Sequence, residues 1–149
     1  MSKITEIVEK MHEVIHTILP TYARMPNPYV VAENSALLMR SGYGVGISGG
    51  INTNRVIPNV VSIDRTFEIV LVNQIDATPN DTVIIENEEK QILEAAFAVT
   101  SWFEKNPTLE IDCINSRYLS DSGIEFIDLG LQRYHQLTLE IGVEYLEPI

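Results

Sequence analysis

The chain has 149 residues, with 21 acidic and 10 basic side chains and a formal net charge of −11. That length suits one domain burying roughly two-thirds of its unfolded surface, without need of disulfide or metal. A hydrophobic fraction of 45% and a charged fraction of 21% exclude wholesale disorder and a fibrous class, and the acidity excludes a protein that grips phosphates over its whole surface.

Residues 3–19 place Ile4, Ile7, Val8, Met11, Ile15, Ile18 and Leu19 at spacings of three and four, which predicts an amphipathic helix capped by Ser2 and ended by Pro20. Its frequent charges suit neither a signal-peptide core nor a membrane span, so a cytoplasmic site of synthesis is expected. His12 and His16 are four apart on this helix, a spacing that holds a metal when further ligands arrive from elsewhere. No second ligand pair accompanies them, and edge positions of an amphipathic helix account for both, so no metal is expected.

Beyond Pro20–Pro28, Tyr29 to Val31 and Ala36 to Met39 predict strands leading into a long Gly/Asn-rich loop at about 42–59. Two enzyme patterns overlap there. Gly44-Val45-Gly46-Ile47-Ser48-Gly49 fits the dinucleotide pattern G-x-G-x-x-G, but the turn-rich run Ile51 to Asn59 supplies no helix to receive a pyrophosphate, so no cofactor is expected. Gly46-Ile47-Ser48-Gly49-Gly50 fits the G-x-S-x-G elbow of serine hydrolases, with His135 downstream, yet the elbow also requires a helix directly after the serine. No residue is assigned to catalysis.

Val61 to Val72 alternates, with Ile63, Phe67, Ile69 and Leu71 on one parity and Asp64, Thr66 and Glu68 on the other, which predicts a half-buried strand. Asp81 to Lys105 returns to helical spacing through Ile85, Ile92, Ala96, Val99 and Phe103, with Leu93 and Trp102 widening the stripe. Ile111 to Leu119 and Ile124 to Leu129 read as strands separated by a turn at 120–123. His135 to Tyr145 carries the strongest period-two signal in the chain. Cys113 is the single cysteine, which excludes an internal disulfide and a Cys-based zinc cluster. The expected fold class is α+β: one domain over 1–149, a mostly antiparallel sheet with two helices packed on one face.

Charge is uneven along the chain. Residues 1–73 hold six acids and six bases, while 74–149 hold fifteen acids and four bases, which suggests one acidic side, with charge that serves only solubility as the alternative. Four of the first six bases are arginines, the basic residue favoured at interfaces. A neutral, Arg-bearing half and an acidic half suggest head-to-tail contact between copies, closing into a ring. Tyr43, Ile47, Ile51, Arg55, Ile57 and Arg65 are the candidate contacts with a second copy or another partner. Covering the domain's own core is the alternative role for the apolar members of this set.

The order of elements is a helix, strands with a Gly/Asn-rich excursion, the strand Arg65-Thr66-Phe67-Glu68-Ile69-Val70-Leu71-Val72, a second helix and a final strand ending Leu139-Glu140-Ile141-Gly142-Val143-Glu144-Tyr145. In size, element order and strand style, over nearly the whole chain, this resembles the tail terminator family of tailed phages. The resemblance implies a virion protein at the head–tail junction: a homohexameric ring that sits on the tail tube protein, stops tube growth and presents a docking surface to the head-completion or neck protein. It also implies a channel through which DNA passes without specific binding, and no membrane partner. The alternatives are another head-to-tail connector subunit, or a small enzyme or ligand-binding domain using the Ser48 loop.

Overall fold

A computed structural model describes residues 2–26, 40–75, 82–112, 114–128 and 132–148. Helix α1 spans Lys3–Ile18, with the Ser2 hydroxyl accepting from the Thr5 amide and so satisfying one of the unpaired N–H groups of its first turn. The helix buries Ile7, Met11, Val14 and Ile15, the stripe anticipated from spacing. Strands β1 (Ala23–Arg24), β2 (Ser41–Ile57) and β3 (Val60–Ile75) follow, then helix α2 (Thr82–Lys105) and strands β4 (Ile114–Asp121), β5 (Glu125–Asp128) and β6 (Arg133–Pro148). The predicted strands within 29–39, and Asp81 at the start of the predicted second helix, lie outside the described residues.

One sheet runs in the order β1-β2-β3-β6-β4, with β5 also paired to β6. Every pairing is antiparallel except β1 with β2. Both helices contribute to a single core against one face, where Phe67, Ile69, Leu71, Leu137, Leu139, Ile141 and Val143 meet Ile7, Met11, Ile15, Ile92, Val99 and Phe103. The α+β class is as expected.

Three local expectations change. The loop placed at 42–59 is strand β2 and its tight turn at Pro58-Asn59. Gly42, Gly44 and Gly46 fall on one face, while Tyr43, Val45 and Ile47 share the register of Leu71, Ile69 and Phe67 on the other. Irregularities at 47/50, 52/54 and 55/57 absorb the Gly/Asn-rich stretch as bulges within the hairpin. The turn placed at 120–123 is an interruption on one edge. Asp121 pairs with Leu139 and Glu125 with Gln136, so β4 and β5 run end to end along β6 in the same direction. The Ser122 amide donates to the Thr138 carbonyl at 2.9 Å across this break, and Gly123 takes the left-handed φ of 73° that a Cβ would disfavour. Finally, Leu93 does not widen the core stripe of α2: it is exposed, with Val83 and Phe97, whereas Trp102 packs inward against the core.

Two long-range ties close the fold. Lys10 bridges Glu110 at 2.9 Å, fastening α1 to the turn after α2, where Leu109 is fully buried at a φ of 52°. The Lys3 amide donates to Glu147 at 3.1 Å, so the two ends of the described chain meet.

Candidate interaction surfaces

Antiparallel register decides which strand side chains meet. On the face of the sheet away from the helices, Asp64 stands directly opposite Glu144, Glu68 opposite Glu140, and the pair Thr66–Gly142 separates these two rungs. Like charges directly opposite each other destabilise a sheet by a few tenths of a kcal/mol up to about 1 kcal/mol per pair. Ser62 donates to Glu144 at 3.5 Å and Ser120 to Glu140 at 3.2 Å, and Arg117, paired with Gly142, stands on the same face level with the Thr66–Gly142 pair between the two rungs. The other end of the same face is apolar: Met25, Val70, Val72 and Tyr134 form a second, smaller buried cluster with Ile127 against it.

The acidic half of the sequence does not become one acidic side. Glu86, Glu94 and Glu104 of α2 are exposed on the helix-bearing side, whereas Glu140 and Glu144 lie on the opposite face beside Asp64 and Glu68 from the neutral half. Strand β3 crosses the middle of the sheet, so folding mixes the two halves.

The predicted contact residues separate. Tyr43 is buried beneath α1, its hydroxyl donating to the His12 carbonyl at 3.4 Å, and takes the core role. Ile47 is 45% exposed on the same face of β2. Arg65 folds back across β2: its guanidinium donates to the Ser48 carbonyl at 3.2 Å and to the Tyr145 hydroxyl at 3.3 Å, and covers Gly50, where any Cβ would meet it at 2.6 Å. Ile51, Arg55 and Ile57 belong to β2 by backbone, and their side chains lie outside the described residues.

Neither enzyme-like pattern has its required context. Ser48 lies inside β2, without the strand-to-helix turn of a nucleophile elbow or of a dinucleotide loop. Its neighbour Ile47 aligns through Phe67 with Ile141, six positions along β6 from His135, or roughly 20 Å at strand rise. Among the described residues no group of three or more His, Cys, Asp and Glu is placed to hold a metal. His16 is exposed at the end of α1, and His12 is tilted against the Tyr43 ring at 5.6 Å. Burial, with a smaller contribution from the Arg24 charge, pushes the His12 imidazole down to about 4.

One surface has no counterpart in the sequence reading. Ile4, Val8, Glu9, His12, Arg24 and Ile47 line an open groove of about 290 Å³ between α1 and the β1–β2 edge. Arg24 makes no ion pair among the described residues. The sequence signal was slight: one Arg inside the Pro-punctuated stretch Pro20–Pro28.

The fold and these surfaces define a two-layer α+β domain with both helices on one sheet face and, among the described residues, no helix on the other. No protein-family model and no curated protein matches the chain. No described helix is long and apolar enough to cross a membrane.

Proposed function

We propose that this chain is a structural subunit of a phage tail terminator. It assembles head to tail into a ring on the end of the tail tube, stops tube growth and presents a surface to the head-completion or neck protein. The observation that carries this reading is the pair of like-charged rungs, Asp64–Glu144 and Glu68–Glu140, on the open face of the sheet. Such rungs cost stability, and a chain retains them where the negative potential itself is used. A channel wall past which DNA slides has that use: fixed carboxylates repel phosphates and give the genome nothing to bind. The sheet suits a wall for a second reason, since its other face is the domain core and no described strand covers its edges.

Negative-stain imaging of the purified chain, alone and with tail tubes of its own phage, tests the reading. Six-fold rings at one end of tubes that have ceased to grow are expected. Monomers that leave tubes bare and growing overturn it, and rings bound only to the head side reassign the chain to another connector subunit.

A further inference from the structure

Helix α2 has one face in the core and another in solvent. Ile92, Ala95, Ala96, Val99 and Phe103 join the core cluster. On the far side Phe97 is 73% exposed, Val83 67% and Leu93 49%, half of the six large apolar side chains exposed among the described residues. At about 100° per residue these three fall within an arc of about 80°, so they form one stripe rather than scattered positions. The stripe also carries two exposed charges at matched distances from its centre. Lys90 lies seven positions before Phe97 and Glu104 seven after, each within about 20° of the Phe97 meridian. Neither makes an ion pair among the described residues.

Such a stripe is complementary to itself in one orientation. Parallel helices in register would set Lys90 against Lys90 and Glu104 against Glu104. Antiparallel helices related by a two-fold axis at Phe97 bring each position level with the one equally far beyond the axis. Lys90 of each copy then meets Glu104 of the other, so both ion pairs form together. Phe97 meets its own symmetry mate at the centre, an aromatic pair flanked by Leu93 from each side.

We propose that α2 docks on α2 of a second copy of this chain, antiparallel, about a two-fold axis at Phe97. Charge selects this occupant. An acidic partner surface would oppose Glu104 and a basic one Lys90, whereas a second copy satisfies both. The contact is isologous and closes on two copies, which separates it from the head-to-tail contacts of a ring. It does not depend on the ring reading, and a ring subunit can carry it as well, because the stripe lies on the side of α2 away from the sheet.

Cross-linking and sedimentation test it. Helix axes pack about 8–10 Å apart, which brings the Cα atoms of two residues at the axis to roughly 4–6 Å, within disulfide reach. In a Cys113→Ser background, Phe97→Cys is therefore expected to oxidise to a linked dimer, and Gln91→Cys, exposed on α2 but outside the stripe, is not. Sedimentation equilibrium at about 0.15 M salt and up to about 1 mM chain is expected to show reversible dimers, weak because one helix face falls at the small end of specific interfaces. Lys90→Glu and Glu104→Lys should each weaken association at least about tenfold with unchanged circular dichroism. Mixing these two variants should restore wild-type strength, because each carries the charges that the other's stripe requires. Equal cross-linking at both cysteine positions, a mixture no stronger than either variant alone, or a wild-type chain still monomeric at about 1 mM overturns the proposal. A wild-type monomer whose Phe97→Asp variant no longer binds tail tubes overturns it in favour of the tube protein as occupant. Rings that form on tubes without the Phe97 cross-link leave the ring reading intact, and a cross-linked chain that never forms rings on tubes overturns that reading alone.

Discussion

The same two strands, β3 and β6, build opposite surfaces on their two sides. Toward the helices, Phe67, Ile69 and Leu71 lie opposite Ile141, Leu139 and Leu137, all buried. Toward the open side, the intervening positions are an apolar cluster at one end and two rungs of facing carboxylates at the other. A single register therefore sets the best packing and the worst electrostatics of the molecule simultaneously. The larger core lies on the helix-bearing face, and the carboxylate end of the other face carries charge that a stability-maximising sequence would avoid.

That contrast can be tested by substitution on each side. Phe67→Ala, at a fully buried position in the core that both helices join, is expected to lose about 3–5 kcal/mol in urea unfolding. A loss below about 1 kcal/mol would mean that the covered face is not the stabilising one. Val72→Ala, in the small cluster on the open side, removes two methyl groups from a closed but limited contact, and a loss of roughly 1.5–2.5 kcal/mol is expected by the same measurement.

The covered side also responds to pH, through His12. The His12 pKa is lowered in the folded chain to about 4 from 6.5, so below 6.5 the unfolded chain binds a proton that the folded one refuses. Stability from this group is present above about 6.5 and is lost as pH falls toward 4. Discounted for partial solvent screening at this half-exposed position, the loss is roughly 1–2 kcal/mol. Unfolding curves at pH 7 and pH 4.5 should show a smaller acid loss for His12→Gln than for wild type, and equal losses would remove the effect. The smallest expected change has the opposite sign. Glu68→Gln with Glu140→Gln relieves one rung and should stabilise the chain by about 0.2–1 kcal/mol at low salt, less at high salt. Destabilisation would show that these carboxylates are attractive in the fold rather than repulsive.

Much of this architecture was readable from period alone. Both helices and the strands around Phe67 and Leu139 carry their burial pattern within a short window, because each packs one stripe or one parity against the same core. Strand β2 was obscured by its composition: Gly and Asn signal turns locally, whereas its pairing with β3 is a property of the hairpin. The alternation Gly42-Tyr43-Gly44-Val45-Gly46-Ile47 held the strand signal, and the same alternation moved Tyr43 from candidate contact to core. For the open face, the sequence showed that Asp64, Glu68, Glu140 and Glu144 occupy polar positions, but not that they face one another. That depends on register, and a slip of one residue would have put each beside a hydrophobic neighbour on the wrong side. The groove at Arg24 was invisible because it joins residues from α1, β1 and β2 that share no local pattern.

The bond from the Lys3 amide to Glu147 gives the backbone the connectivity of a nearly closed loop. A linker of a few residues from Pro148 to Ser2 should complete it, and new ends opened at the exposed Pro58-Asn59 turn should leave every strand pairing in place. In such a permuted chain β3 would be made first and β2 last. The order of synthesis and the order of the sheet would be uncoupled, and a fusion partner could be carried at the tip of the β2–β3 hairpin.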